Sequence, residues 1–523
     1  MRGTRPDIDV AAALRPASAH PGRCAHIVML LLLAGCDARL DVSQPISLDP
    51  EGAWTDVQRT SLENAAESWN VELGTHLGVQ GAADQRVPLR LSEFVCAFTN
   101  GVTSQTGGGV EVQLCSVDAS FPWLLFPLAL HELGHVLNIR GHIHDDPDAV
   151  MSPQSGGDRR FTAADRELFR RANPGFEPDD PCDVVFPVAL SDARPVPVRT
   201  AHGSLLLWAE ADGVQIGAID MATARVKRAA RIATASYPEW VRATLAPEGL
   251  WVSWVEGGAM RLAHVSLPGL RASAPLDLDI GTHDFQKVIE VSTAAGDTDL
   301  FVAISEGLSN PVLYLYRLDR TSGAQRPLLK TEYLRSSGYF VRLGGALVLA
   351  VRNPYGVTLH RWSAADGAPL ASKQVVHLSQ GDRQIDNFRA RVIGDALLLA
   401  LFFGSTRPVE LARVVLDGPG FAVTKTTGIS PPGEGNTLLS IDGNDDELVL
   451  ALSSMREYHP ADEVYVMRLD PASLEWRGDW RRLSAPDQVP SVQPWVLAGP
   501  TRHVVVWREL HDLMTIEVKT RCF

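Results

Sequence analysis

Seven short apolar runs, spaced roughly 45 to 55 residues apart, constrain the fold of this chain more than any other feature. They are Ser204–Trp208, Leu250–Trp254, Leu300–Ile304, Ala346–Ala350, Ala396–Ala400, Glu447–Ala451 and His503–Trp507. Each is too short for a buried helix, and most are followed by a polar turn and an alternating segment, as in Val312–Asp319 and Val464–Asp470. A unit that recurs at this period reads as one four-stranded sheet, and about seven such sheets close into a β-propeller. A pair of β-sandwiches is the alternative, but it needs no even spacing. The last unit runs out of chain near Cys522. Residues 184–190, which stand alone before the first unit, can supply the missing outer strand and close the ring. The repeats match neither of the common propeller signatures, and a propeller fold does not name a function. Asp442, Asn444, Asp445 and Asp446 read as a solvated acidic turn rather than a calcium loop.

Before the repeats lies the stretch His131–Asp146, which opens His-Glu-Leu-Gly-His. Positions i and i+4 share a helix face, so His131 and His135 can point at one metal ion. Glu132 stands beside the first ligand, where a carboxylate can take a proton from a metal-activated water. The apolar lead-in Leu124–Leu130 predicts a largely buried helix, where two imidazoles and a carboxylate are costly without a partner. One catalytic zinc ion is the expected cofactor.

This stretch resembles the metzincin zinc peptidases, in their matrixin-like branch, whose extended motif is H-E-x-x-H-x-x-G-x-x-H followed by a methionine turn. Asn138 occupies the glycine position and can also adopt the left-handed backbone. The family's third-ligand position falls on Gly141, and His142 comes one residue late. The resemblance therefore implies His142 as third ligand, with His144 next and Asp145 or Asp146 behind. It also gives Met151, in Asp148–Pro153, a packing role under the histidines. Residues 161–169 read as a closing helix capped by Thr162. In a gluzincin-type site Glu167 would be the ligand, but the motif around it is lacking. Residues 55–70 read as an amphipathic helix and residues 86–94 and 109–115 as strands. The resemblance makes Gly109–Cys115 the candidate substrate-binding edge strand.

At the N-terminus, Ile27–Leu33 is an apolar run behind Arg23, too short to span a bilayer but suited to a signal peptide. It ends in Leu33-Ala34-Gly35-Cys36, which resembles a bacterial lipobox with Cys36 as the acylated residue. An ordinary secretory signal is the alternative. Of six cysteines, Cys24 goes with the signal and Cys36 with the lipid. Cys96, Cys115, Cys182 and Cys522 remain for an oxidising compartment and allow three pairings. The expected pairs are Cys96–Cys115 and Cys182–Cys522. A net charge of −14 argues against a nucleic-acid partner.

The expected organisation is a multi-domain chain: a signal peptide (1–35), a lipidated linker (36–44), an α+β metzincin-like zinc metalloprotease domain (45–175) and an all-β propeller domain (176–523). The expected function is that of a membrane-anchored zinc metalloendopeptidase of the bacterial cell envelope, with Glu132 as general base and a protein or peptide substrate. The propeller would hold substrate or an envelope partner. The alternative is an envelope-binding or adhesion lipoprotein whose metalloprotease domain is degenerate, as the displaced third histidine suggests.

Overall fold

The computed structural model describes residues 39–96, 101–106, 109–116, 118–153, 159–177, 183–186 and most of 195–523. Cys36 and the signal segment lie outside these residues. No helix among them is long and apolar enough to cross a membrane.

The N-terminal unit is a five-stranded sheet with helices packed on it. Its strands are β1 (Ile46–Glu51), β2 (Leu77–Val79), β3 (Gln85–Ser92), β4 (Gly101–Thr106) and β5 (Gly109–Cys115), in the spatial order β2-β1-β3-β5-β4. The β1–β2, β1–β3 and β3–β5 pairs are parallel, and β4 runs antiparallel to β5. The sheet edge next to β5 is therefore β4, which corrects the expectation that Gly109–Cys115 is the edge strand. The physical reason is local: β4 folds back on β5 as a hairpin, with Thr106 opposite Gly109.

Helix α1 (Asp56–Leu73) begins at a capping box in which Thr55 and Gln58 satisfy each other's backbone N–H groups. It ends at Gly74, in the left-handed conformation that glycine adopts without strain (φ 69°). Leu62, Ala65, Ala66 and Trp69 of α1 enter one core with Leu130, Leu133 and Val136 of helix α2 (Pro122–Val136). Packing starts earlier than residue 45, because Val42 is already buried in this core. It also runs slightly past residue 175, where Phe176 meets Phe169 edge to face. Helix α3 (Ala163–Ala172) opens at Thr162, whose capping box pairs it with Asp165.

The rest of the chain is a seven-bladed β-propeller. Its seven sheets are antiparallel meanders, six of them from consecutive residues: 196–233, 239–278, 288–332, 338–377, 387–429 and 439–482. The seventh uses residues 491–522 for three strands and takes its fourth, β6 (Asp183–Phe186), from the front of the domain. That strand closes the ring as the isolated segment before the repeats had suggested. All seven apolar runs are second strands of blades, covered on both sheet faces. The first strands touch one another around the ring, the seventh returning to the first.

Asp442 departs from the solvated turn expected of it. It is buried, accepts Arg391 at 2.7 Å and Arg199 at 3.2 Å, and receives the backbone N–H of Ala498 at 2.9 Å. Those partners come from blades five, one and seven, so one carboxylate ties four blades together across the seam. Cys115 and Cys522 are buried. The pairings expected for them involve Cys182, outside the described residues, and Cys96, whose side chain is likewise not described.

The two units meet through α1. Arg482 of blade six is enclosed between Glu67 of α1 and Glu463, its Nη1 lying 2.8 Å from Glu463. Glu72 of α1 is buried among Arg166, Lys519 and Arg521. Burial raises its pKa, but the three cations outweigh burial and hold it down at about 2.

Candidate metal centre

Pro122 starts α2 at the position where a missing N–H costs nothing, and a nearly continuous apolar surface drives the helix into the core. Its last two turns carry His131, Glu132 and His135. The helix then stops on two backbone bonds, Asn138 N–H to His135 O (3.1 Å) and Ile139 N–H to Gly134 O (3.1 Å). This is a Schellman ending, with Asn138 left-handed at φ 66°. Asparagine does here what glycine cannot. Its side-chain amide donates to Leu40 O at 2.9 Å and to Asn173 Oδ1 at 2.8 Å, fastening the entering chain and the end of α3 to the turn.

Beyond the turn the chain doubles back, and Ile143 N–H bonds to Met151 O at 2.9 Å. That return delivers His142. One ring nitrogen from each of His131, His135 and His142 lies within 4.8 Å of the others. The ring centroids are 5.0, 5.1 and 5.3 Å apart. The displaced register is thus absorbed in the 138–141 turn. His144 is exposed, its ring 6.4 Å from that of His142 and outside the cluster. Asp145 and Asp146 are also outside it. Glu167 is exposed and pairs with Arg171 at 3.3 Å, so it makes no gluzincin-type ligand.

Two of the rings are held from behind. His135 Nδ1 lies 2.6 Å from Ile139 O, and His131 Nδ1 lies 2.8 Å from Val150 O. A proton on His135 Nδ1 satisfies Ile139 O and leaves Nε2 as an electron-pair donor, the arrangement a metal-binding imidazole needs, while at His131 the Arg159 guanidinium also donates to Val150 O. Burial, reinforced by His135 and Arg159, depresses the His131 pKa to about 3, so this ring is neutral at pH 7. Burial also lowers His142, with His135 and His144 adding to it. Three imidazoles converging on one point fit a divalent zinc-type ion.

Glu132 faces the edge strand. Thr103 of β4 donates its hydroxyl to Glu132 Oε2 at 2.7 Å. Burial raises the Glu132 pKa, and the neighbouring His135 ring and the Thr103 bond oppose the rise. A Cβ on Gly101 would lie 2.7 Å from Glu132 Oε1, so the strand approaches the carboxylate only because residue 101 has no side chain.

Met151 lies under the helix, fully buried. Its turn is held by Asp165, which accepts the N–H groups of Met151 (2.8 Å) and Val150 (3.2 Å) and also caps α3 through Thr162. Arg159 lies beside the same turn. Its guanidinium donates to Val150 O and to Ser152 O (3.1 Å), with Nη1 2.7 Å from His131 Nδ1. The sequence reading missed Gly101, Thr103, Arg159 and Asp165. Only the Thr162–Asp165 capping box carried a local signal for any of them.

No family model matches the chain, and no curated protein matches it. Among solved structures, one reported as "Structural and Mechanistic Analysis of Two Prolyl Endopeptidases" is similar at a TM-score of 0.38 and 13% identity, covering 61% of this chain and 47% of that one. The protein Sqt1 of Saccharomyces cerevisiae is similar at 0.38 and 10% identity, covering 64% and 98%. The chain thus spans about half the length of the first of these. Neither likeness bears on activity.

Proposed function

We propose that this protein is a zinc-dependent metalloendopeptidase with a metzincin-like domain, anchored to the bacterial envelope through Cys36 and carrying a propeller that recruits substrate or a partner. The observation that carries the reading is the convergence of His131, His135 and His142 beside a buried Glu132. Those three histidines would hold the ion, which when bound polarises a peptide carbonyl and makes a water acidic enough to attack it near neutral pH. Glu132 takes the proton of the attacking water and returns it to the leaving amine as the C–N bond breaks. Thr103 fixes the carboxylate, and the β4 edge offers backbone groups to an extended peptide. The clustered histidines, the carbonyls behind two of them and the buried methionine support the reading together.

The experiment is a pair of measurements on the full chain: zinc per protein and hydrolysis of a mixed peptide pool, for wild type and Glu132→Gln. The expected result is one zinc in both and turnover in wild type only, with a loss of at least ~100-fold in the variant, the lower end for a removed general base. Zinc in both without turnover would favour the adhesion reading, in which the domain is kept for structure. No zinc in wild type would overturn the proposal.

A further inference from the structure

The first strands of the propeller blades line a cavity of about 460 Å³. Four arginines border it, Arg242, Arg352, Arg389 and Arg391, and Asp386 is the one carboxylate among the described lining residues. This is a basic cavity in a chain of net charge −14. Arg391 is engaged by Asp442 at 2.7 Å. Arg389 is not so neutralised. Its Nη1 donates to the Tyr339 hydroxyl, to Asn387 Oδ1 (3.0 Å) and to Phe388 O (3.0 Å), all uncharged. Among the described residues no carboxylate reaches it. Its guanidinium also lies 5.3 Å from the Tyr339 ring centroid, which holds the head in place.

The backbone around the cavity is irregular in two of the strands that line it. The first strands of blades two and seven shift register at bulges, between Glu239 and Arg242 and between Val492 and Trp495. Trp240 (φ 52°) and Gln493 (φ 54°) are left-handed there without being glycine. Bulges re-aim the side chains next to them, here Arg242 and Trp495, both at the cavity wall. Strained backbone of this kind is concentrated at ligand sites.

We infer that this cavity binds a carboxylate-bearing peptide, with Arg389 taking the carboxylate, Arg242, whose Nε and Nη1 donate to Val291 O (2.7 Å) and Val241 O (2.9 Å), adding its charge to the wall, and Tyr339 and Trp495 flanking the adjoining residue. A guanidinium fork matches a carboxylate in two parallel hydrogen bonds. A concave basic wall concentrates anions that the rest of the surface repels. The volume suits a few residues rather than a folded domain. The carboxylate can come from a peptide C-terminus or from a glutamate or aspartate side chain. The inference does not rest on the metal centre.

The test is fluorescence anisotropy on the full chain with EDTA present, so that any peptidase activity is silent. Four labelled hexapeptides are compared: two glutamates with a free C-terminus, the same amidated, two glutamines with a free C-terminus, and the same amidated. At least one carboxylate-bearing peptide binds, and the uncharged one is at least ~10-fold weaker, as expected for a lost charge-assisted pair. Which of the two singly altered peptides keeps affinity identifies the carboxylate source. Arg389→Gln weakens binding by a similar factor, while Arg228→Gln on an outer strand leaves it unchanged. Equal binding of the uncharged peptide, no binding at all, or full binding by a folded Arg389→Gln overturns the inference. If Arg389→Gln loses its cooperative melt, Arg242→Gln takes its place in the comparison.

Discussion

Gly134 lies against Met151: a Cβ on the helix residue would fall 2.3 Å from the methionine sulfur and 2.9 Å from Trp69 Cζ2. The glycine inside the His-Glu-Leu-Gly-His motif therefore lets the methionine turn sit directly beneath the helix that carries His131 and His135. Trp69 is itself immobilised, its indole N–H bonded to Leu130 O at 2.8 Å and its ring edge-on to Phe161 at 4.8 Å. Gly134→Ala should destabilise the N-terminal unit by about 1–3 kcal/mol, the usual cost of overpacking. Differential scanning calorimetry and zinc affinity measured together should both fall. An unchanged melt would mean that the methionine side chain swings aside freely.

The third ligand separates two histidines that are neighbours in sequence. His142→Ala should weaken zinc binding by at least ~100-fold, since under the proposal it removes one of three protein ligands. His144→Ala should change it less than ~3-fold. Competition against a chromophoric chelator reads both values. The reverse order would move the site to His144.

Asp165 is buried and receives the backbone N–H groups of Val150 and Met151. Asp165→Ala strands the Met151 N–H, at about 1–3 kcal/mol if it stays buried, whereas the Val150 N–H keeps Arg160 O at 3.1 Å. Amide hydrogen exchange should accelerate at residues 149–152 before it does so in β3. Asp165→Asn keeps the acceptor oxygen and should recover part of the protection.

The seam between the two units carries a pH dependence. The Glu72 carboxyl is held at about 2, below its ordinary 4.5. A depressed acid contributes stability that is fully present above the unfolded-state value and is lost as pH falls from about 4.5 toward 2. The amount is on the order of 3 kcal/mol. Glu72→Gln should flatten the acid limb of the stability profile in that window and leave the profile above pH 6 parallel to wild type. A profile of unchanged shape would remove Glu72 from the linkage.

Ring closure makes a covalent prediction. Asp183 of β6 pairs with Arg521 in the last strand. The neighbouring residues in sequence are Cys182 and Cys522. Mass mapping of an unreduced digest should return a Cys182–Cys522 peptide. Cys182→Ser should loosen β6, seen as earlier proteolysis between the two units. A free thiol on Cys522 in protein from an oxidising compartment would exclude the bridge.

Much of this was legible locally. Thr55 and Thr162 announced their helices because a cap is made with residues three positions away. The second strand of every blade stood out because both of its faces are covered, which leaves an unbroken apolar run. First and fourth strands were harder to see: they alternate, or carry charges such as Arg242 and Arg389 that face a cavity invisible in one dimension. The edge strand was misplaced by one because β5 alternates as an edge should, whereas β4, the true edge, reads Gly-Val-Thr-Ser-Gln-Thr and has little apolar signal.

The sequence by itself determined what short-range chemistry controls. A histidine pair on one helix face with a glutamate beside it, a left-handed asparagine, and a repeat that no helix could satisfy all follow from the spacing of neighbours. The sequence favoured His142 over His144, and tertiary structure brought His142 into the cluster, because a turn of a few residues can aim a side chain in several directions until Met151 O fixes Ile143. Tertiary structure alone placed Gly101 and Thr103 against Glu132, some thirty residues away. It alone gathered Asp442 with Arg199 and Arg391 at a seam between blades. Contacts of that kind depend on which side chains meet once the ring and the sheet are assembled, and the spacing of residues along the chain does not show that.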